Sequence, residues 1–240
     1  MDLVLKILYF LNQRQRVKDK TIKKPIKRGA WIGKKNVSVS SRRYLDRQES
    51  DHFVTAARKQ GYRSRAVFKL LEADDKFKLL KAGQHIIDLG AAPGSWSQVV
   101  AQRVLPGGQV YALDKLPVDP MEGMTFLKGD FTDDEVYEEF LAMCPKGVDG
   151  VLSDIAPETS GHAGQDHMKI MGLAEMALDF ALKTMRPGAW FYCKLFQGGE
   201  EVQFRDELRK HFQTVRFFKP ESSRKDSKEI FIFAQNYQPK

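Results

Sequence analysis

A loop of small residues and three aspartates stand where this sequence could hold a ligand. The loop is Asp88-Leu89-Gly90-Ala91-Ala92-Pro93-Gly94-Ser95-Trp96-Ser97, in which an apolar run gives way to glycine and alanine. Such residues let the backbone approach a ligand closely, and a helix starting there turns its first amides toward it. The loop is not GxGxxG, and no Lys-Ser/Thr pair follows as in a P-loop, which disfavours pyrophosphate binding. Asp114 ends the next apolar run, at a position about 20 residues on where a carboxylate can accept the hydroxyls of a ribose. Asp130, in Gly129-Asp130-Phe131, and Asp154, in Ser153-Asp154-Ile155-Ala156-Pro157, end two more. One such aspartate is commonly a helix cap or turn former. Three of them beside one small-residue loop suit a ligand that carries a nucleoside without a pyrophosphate, and S-adenosylmethionine is such a ligand.

These groups meet only if the runs that carry them lie side by side. Strands are expected over 85–90, 109–114, 124–127, 148–154 and 189–196, each short and apolar. Helical spacing covers 63–80, 95–104, 133–143, 168–185 and 200–211, and turns are expected at 106–108 and 187–188. Short apolar runs alternating with helices imply βαβ crossovers and a mainly parallel sheet. Two closing strands, 215–218 and 229–234, are expected as an antiparallel pair. The fold class is α/β: a doubly wound, mainly parallel, Rossmann-like sheet. Ligands bind such sheets beyond the carboxyl ends of the strands, which is where the aspartates fall.

Six segments carry a resemblance: Ser64–Leu70 (SRAVFKL), Asp88–Ser97 (DLGAAPGSWS), Gly129–Phe131, Ser153–Pro157 (SDIAP), Cys193–Phe196 (CKLF) and Lys219–Phe231 (KPESSRKDSKEIF). In order and spacing, across roughly residues 42–237, they resemble the FtsJ/RrmJ-type ribose 2′-O-methyltransferases. The nearest likeness is to the bacterial enzymes that act on uridine in large-subunit ribosomal RNA and to their mitochondrial relatives. The resemblance implies a Rossmann-like fold dependent on S-adenosylmethionine. It also implies a catalytic tetrad of Lys69, Asp154, Lys194 and Glu229, and donor binding by Gly94, Trp96, Asp114, Asp130 and Asp154. The sequence departs at Ser95, where many members carry glycine, and at Glu158, where asparagine is common.

Methyl transfer to a ribose hydroxyl requires alignment and a nucleophilic oxygen. Lys194, at the end of the fifth expected strand, is the candidate proton acceptor. A lysine titrates near about 10.4 unless burial or a nearby cation lowers it. Lys69 could supply the cation, while Asp154 and Glu229 push the other way. The alternative is a charged Lys194 that orients the hydroxyl. Two other classes stay open: a methyltransferase for proteins or small molecules, and a non-catalytic RNA-binding module.

The formal charge is +8, but it is unevenly spread. Residues 1–50 hold 14 Lys and Arg against four acids, a net +10, and the other 190 residues carry −2. The expected organisation is therefore a basic, partly disordered arm over 1–50 and a methyltransferase domain over 51–240. Such an arm can bind RNA by releasing counterions. Arg42-Arg43-Tyr44, Arg58, Arg63, Arg65 and Ser222-Ser223-Arg224-Lys225 are candidates for the same track. Composition excludes collagen-like, disulfide-scaffold and wholly disordered chains. Cys144 and Cys193 read as buried free thiols in a reducing compartment. The apolar start, broken by Lys6, is too short to span a bilayer and shows no cleavage site, so a cytoplasmic enzyme is expected, with the mitochondrial matrix as alternative. His162 and His167 lack further ligands, so no metal is expected, and residues 159–166 read as a mobile lip. The expected partner is ribosomal RNA within the large subunit, without a membrane, with the enzyme acting as a monomer.

Overall fold

The structure, a computed structural model, describes residues 51–157, 161–224 and 226–239. The basic arm, Arg42-Arg43-Tyr44, Glu158 and Lys225 lie outside them.

Helix α1 (His52–Lys59) opens this region and was not anticipated from the sequence. Its start is fixed locally, because the Asp51 carboxylate accepts the Phe53 amide at 3.0 Å. Helix α2 (Val67–Phe77) is shorter at both ends than the expected 63–80. It stops at Lys78, which takes a left-handed conformation with φ 55°, and the Asp74 carboxylate accepts the Leu80 amide at 2.9 Å.

Strand β1 (His85–Leu89), helix α3 (Ser95–Val104), β2 (Gln109–Asp114) and β3 (Met124–Lys128) follow where the apolar runs place them. Helix α4 (Asp134–Met143) leads to β4 (Val148–Ser153). Helix α5 (Ala163–Thr184) begins five residues before the expected start and absorbs the second half of the expected lip, residues 163–166. Strand β5 (Met185–Phe196) also starts early, since Met185 pairs with Val148. The expected turn at Pro187-Gly188 falls inside this strand, where the register between β4 and β5 shifts. Helix α6 (Glu201–Leu208), β6 (Phe212–Phe218) and β7 (Glu229–Tyr237) complete the chain.

The seven strands form one sheet in the order β3-β2-β1-β4-β5-β7-β6. Strands β1 to β5 pair in parallel, while β7 is antiparallel to both β5 and β6. The closing pair is thus antiparallel as expected. Alternation along β5 sends Phe191 to one face and Tyr192 to the other. The first face packs on α4 and α5 through Phe140 and Phe180, and the second on α2 and α3 through Leu70, Val99 and Val100. Each fully buried aromatic contributes about 2 kcal/mol by removing apolar surface from water. The chain order reverses across β1, with β2 on one side and β4 on the other, so the crevice lies above these strand ends. Among the described residues no helix is long and apolar enough to cross a membrane.

Candidate active site

Above the β1 and β4 ends the backbone leaves no room for a side chain. Gly90 has φ +79°, and a Cβ there would come within 3.0 Å of the Ile155 backbone. The Gly90 and Ala91 amides both donate to the Leu113 carbonyl, at 2.9 and 3.1 Å. The loop after β1 is therefore stitched to the end of β2. Asp114 completes the stitch by accepting the Ala92 amide at 2.9 Å and the Leu116 amide at 2.8 Å. Asp130 folds its own turn in the same way, with the Thr132 amide at 3.0 Å and hydroxyl at 2.8 Å on one oxygen. Lys115 lies 2.8 Å from its other oxygen. Burial opposes ionisation of Asp130, but Lys115 and Thr132 outweigh it and hold the carboxyl below its usual range.

A cavity of about 760 Å³ opens between these strand ends and α5. Asp114, Asp130 and Asp154 line it, together with apolar Leu113, Phe131 and Met176. Gly94 and Trp96 do not line it. Gly94, at φ +95°, caps α3. The Trp96 side chain turns into the core, donates to the Ala66 carbonyl at 2.7 Å and packs near Tyr192 and Phe231. Ser95, where the resemblance leads one to expect glycine, shares a 2.8 Å hydrogen bond with Ser64. Below the loop, Asp88 is fully buried and accepts the Ser97 hydroxyl at 2.6 Å. Burial, against the Ser97 bond and helped by Asp154 and Asp114, pushes its carboxyl up to about 7.

Beside the cavity, four charged groups from four elements converge. Lys69 comes from α2, Asp154 from the turn after β4, Lys194 from β5 and Glu229 from the start of β7. Lys194 Nζ lies 2.7 Å from Asp154 Oδ1 and donates to the Asp154 carbonyl at 2.8 Å. Lys69 Nζ lies 2.6 Å from Glu229 Oε2 and 4.0 Å from Asp154 Oδ1. Desolvation alone would raise the Asp154 carboxyl, but Lys194 and Lys69 overcome it and keep the group below the usual carboxylate range. The floor is aromatic: Lys69 Nζ sits 5.6 Å above the Phe231 ring, which stacks on Tyr192 at 4.8 Å. Tyr192 is fully buried, and its hydroxyl faces the Lys69 carbonyl at 3.5 Å. Burial and the nearby carboxylates drive this phenol well above its usual range.

Several residues around the four brace them through contacts that the sequence did not foretell. Ser223 is buried and donates to Glu229 Oε1 at 2.8 Å. Glu72, one helical turn after Lys69, accepts the Glu221 and Ser222 amides at 2.5 and 3.0 Å. Arg65 pairs with Asp51 and donates to the Ser222 carbonyl, so this expected RNA contact is turned inward. Arg63 reaches the Pro93 carbonyl at 3.3 Å, and Arg58 is exposed on the last turn of α1. Ser223 lies within a motif segment and an expected RNA track and Glu72 close to Lys69, but nothing in the sequence marks either as a partner inside the site, since polar groups there are usually solvated surface.

His167 is buried and lies 2.5 Å from Glu200, and His162 is the N-terminal cap residue of α5. No group of three or more potential metal ligands occurs among the described residues. Cys144 and Cys193 are free and buried, and burial pushes both thiols up to about 12.

Residues 62–237 match the model of the FtsJ-like methyltransferases. The chain is 48% identical over 202 residues to the ribosomal RNA large subunit methyltransferase E of Granulibacter bethesdensis, covering 84% of this chain and 87% of that one. Against the protein of the same name from Gluconobacter oxydans it is again 48% identical over 202 residues, covering 84% and 75%. A crystal structure from Plasmodium falciparum, described as a ribosomal RNA methyltransferase, superposes with a TM-score of 0.67 at 29% identity. That likeness covers 75% of this chain and 100% of the other.

Proposed function

The chain belongs to the FtsJ-like methyltransferase family and is an enzyme; from that premise we propose that it methylates the ribose 2′-hydroxyl of a uridine in large-subunit ribosomal RNA, using S-adenosylmethionine. The observation that carries the reading is the convergence of Lys69, Asp154, Lys194 and Glu229 beside a cavity rimmed by carboxylates. The names of the relatives from Granulibacter and Gluconobacter support the choice of RNA.

The residues present fit such a donor. Asp114 and Asp130 have spare acceptor lone pairs toward ribose hydroxyls and an adenine amino group, Leu113 and Phe131 offer an apolar wall, and Gly90 keeps the loop close. When bound, the donor supplies a methyl group already activated on a sulfonium sulfur. Gly94 and Trp96 act by holding the loop that carries the site, and Asp154 faces both the cavity and the tetrad.

What is left to the protein is alignment and the hydroxyl proton. Lys194 is the proposed proton acceptor, held in place by the Asp154 carbonyl and carboxylate. As the neutral amine it takes the hydroxyl proton and becomes the ammonium as the ribose oxygen forms its bond to the methyl carbon. Lys69 places a second positive charge 4.0 Å from Asp154 and is itself oriented by Glu229. The aromatic floor keeps water from beneath the four groups. Residues 1–50 act as a basic arm that holds RNA phosphate, and residues 51–240 carry the chemistry. The enzyme works as a monomer without a metal in the cytoplasm and contributes to ribosome maturation, with the mitochondrial matrix as the alternative compartment.

The test is transfer of tritiated methyl from S-adenosylmethionine to undermethylated ribosomes, followed by mapping of ribose methylation. Label on a 2′-hydroxyl of large-subunit RNA is expected. Label on amino-acid acceptors would identify a protein methyltransferase, and RNA binding without label would identify a non-catalytic module; either sinks the reading.

A further inference from the structure

Of the two oxygens of Glu229, only one meets the tetrad. Oε2 pairs with Lys69 at 2.6 Å, and Oε1 accepts the hydroxyl of Ser223 at 2.8 Å. Both Ser223 and Glu229 are less than 10% exposed, so water does not substitute freely for this bond. The serine is itself held from below. Glu72 on α2 accepts the two amides just before it, and Arg65 donates to the Ser222 carbonyl. The Ser223 amide closes a turn on the Pro220 carbonyl at 3.0 Å. Helix α2 thus grips the loop backbone through Glu72 and presents Lys69 to the carboxylate that the loop's serine orients.

We propose that Ser223 is the positioning residue of the tetrad: its buried hydroxyl fixes the carboxylate of Glu229 and so sets where the Lys69 ammonium stands relative to Asp154. Without that bond the carboxylate can rotate, and Lys69, 4.0 Å from Asp154, is free to move toward it. The charge facing Lys194 then changes although no residue of the tetrad has been altered. The inference rests on the methyl-transfer reading above.

The experiment is a double-mutant cycle on the full chain, with Ser223→Ala, Glu229→Ala and the double variant assayed on undermethylated large subunits. Ser223→Ala is expected to lower kcat by up to about tenfold, and no further than Glu229→Ala lowers it. KM for S-adenosylmethionine should be unchanged, and Ser223→Thr, which keeps a hydroxyl, should recover most of the rate. In the Glu229→Ala background the serine change should cost nothing more, because its effect runs through that carboxylate. An equal loss in both backgrounds, or a chain whose melting transition disappears, would assign Ser223 a structural role and overturn the proposal. Full activity of Ser223→Ala beside a slow Glu229→Ala also overturns it while leaving the methyl-transfer reading intact. Full activity of Glu229→Ala would instead remove that residue from the tetrad.

Discussion

The cavity rim and the tetrad both depend on carboxylates, yet they are built over very different distances. At the rim, Asp114 and Asp130 bond amides two residues away, and Asp114 adds one from the neighbouring loop. They are turn formers that also face a cavity, so the structural and the functional account of each are the same geometry. In the tetrad, Lys69 and Glu229 lie 160 residues apart, and Lys194 and Asp154 lie 40 apart. Those charges meet only because four elements pack together. A local site tolerates change elsewhere, whereas a site assembled from distant pieces fails when any one piece moves.

The sharpest way to break this contrast is Lys194→Ala. Methyl transfer should fall about a thousandfold or more while the affinity for S-adenosylmethionine, read by calorimetry, stays within about twofold. Near-normal turnover would mean that alignment alone carries the reaction. Next in size is Asp88, buried beneath the rim. A carboxyl raised to about 7 favours the protonated folded state. Its contribution to stability is therefore complete at acid pH and is lost as pH rises from the ordinary carboxyl value toward about 7. Asp88→Asn removes that loss, so its stability relative to the parent chain should increase by about 3 kcal/mol between pH 5 and 8. Urea midpoints at the two pH values measure it, and a constant difference would show that Asp88 is not strained by its charge.

At the rim itself, Asp114→Ala should weaken donor binding by about ten- to a hundredfold and leave kcat at saturating donor little changed, because a loop stitch and a ligand contact are lost together. A fall in kcat alone would place Asp114 with the tetrad. The smallest expected effect belongs to Ser95→Ala, which loses the hydroxyl bond to Ser64 and should cost about 1 kcal/mol in a melting experiment. A neutral result would show that the loop is held by Trp96 and the backbone alone.

The same contrast explains what could be read in advance. The strands β1 to β4, and the aspartates at the ends of β2, β3 and β4, follow from short apolar runs that stop at a glycine or an acid, a signal contained in a few consecutive residues. The early start of α5 and the extension of β5 through Pro187-Gly188 did not follow. Tertiary pairing of Met185 with Val148 overrode the local turn signal there. The tetrad was legible only through its resemblance to a family, since a lone lysine at a strand end is ordinary. Nothing marked Ser223, Glu72 or Arg65 as partners of one another, because each looks like solvated surface until the loop before β7 is laid on α2.

By itself the sequence determined the alternation of strand and helix, the mainly parallel sheet, the placement of acids at its rim and a net charge of +10 over residues 1–50 against −2 over the rest. Those properties depend on periodicity and composition, which act between near neighbours. Only the tertiary structure decided which charges pair, which oxygen of Glu229 faces Lys69, and that Trp96 supports the loop from the core. Such choices depend on burial: out of water a charge must find its partner within a few ångströms, and the packing of distant elements decides which one is there.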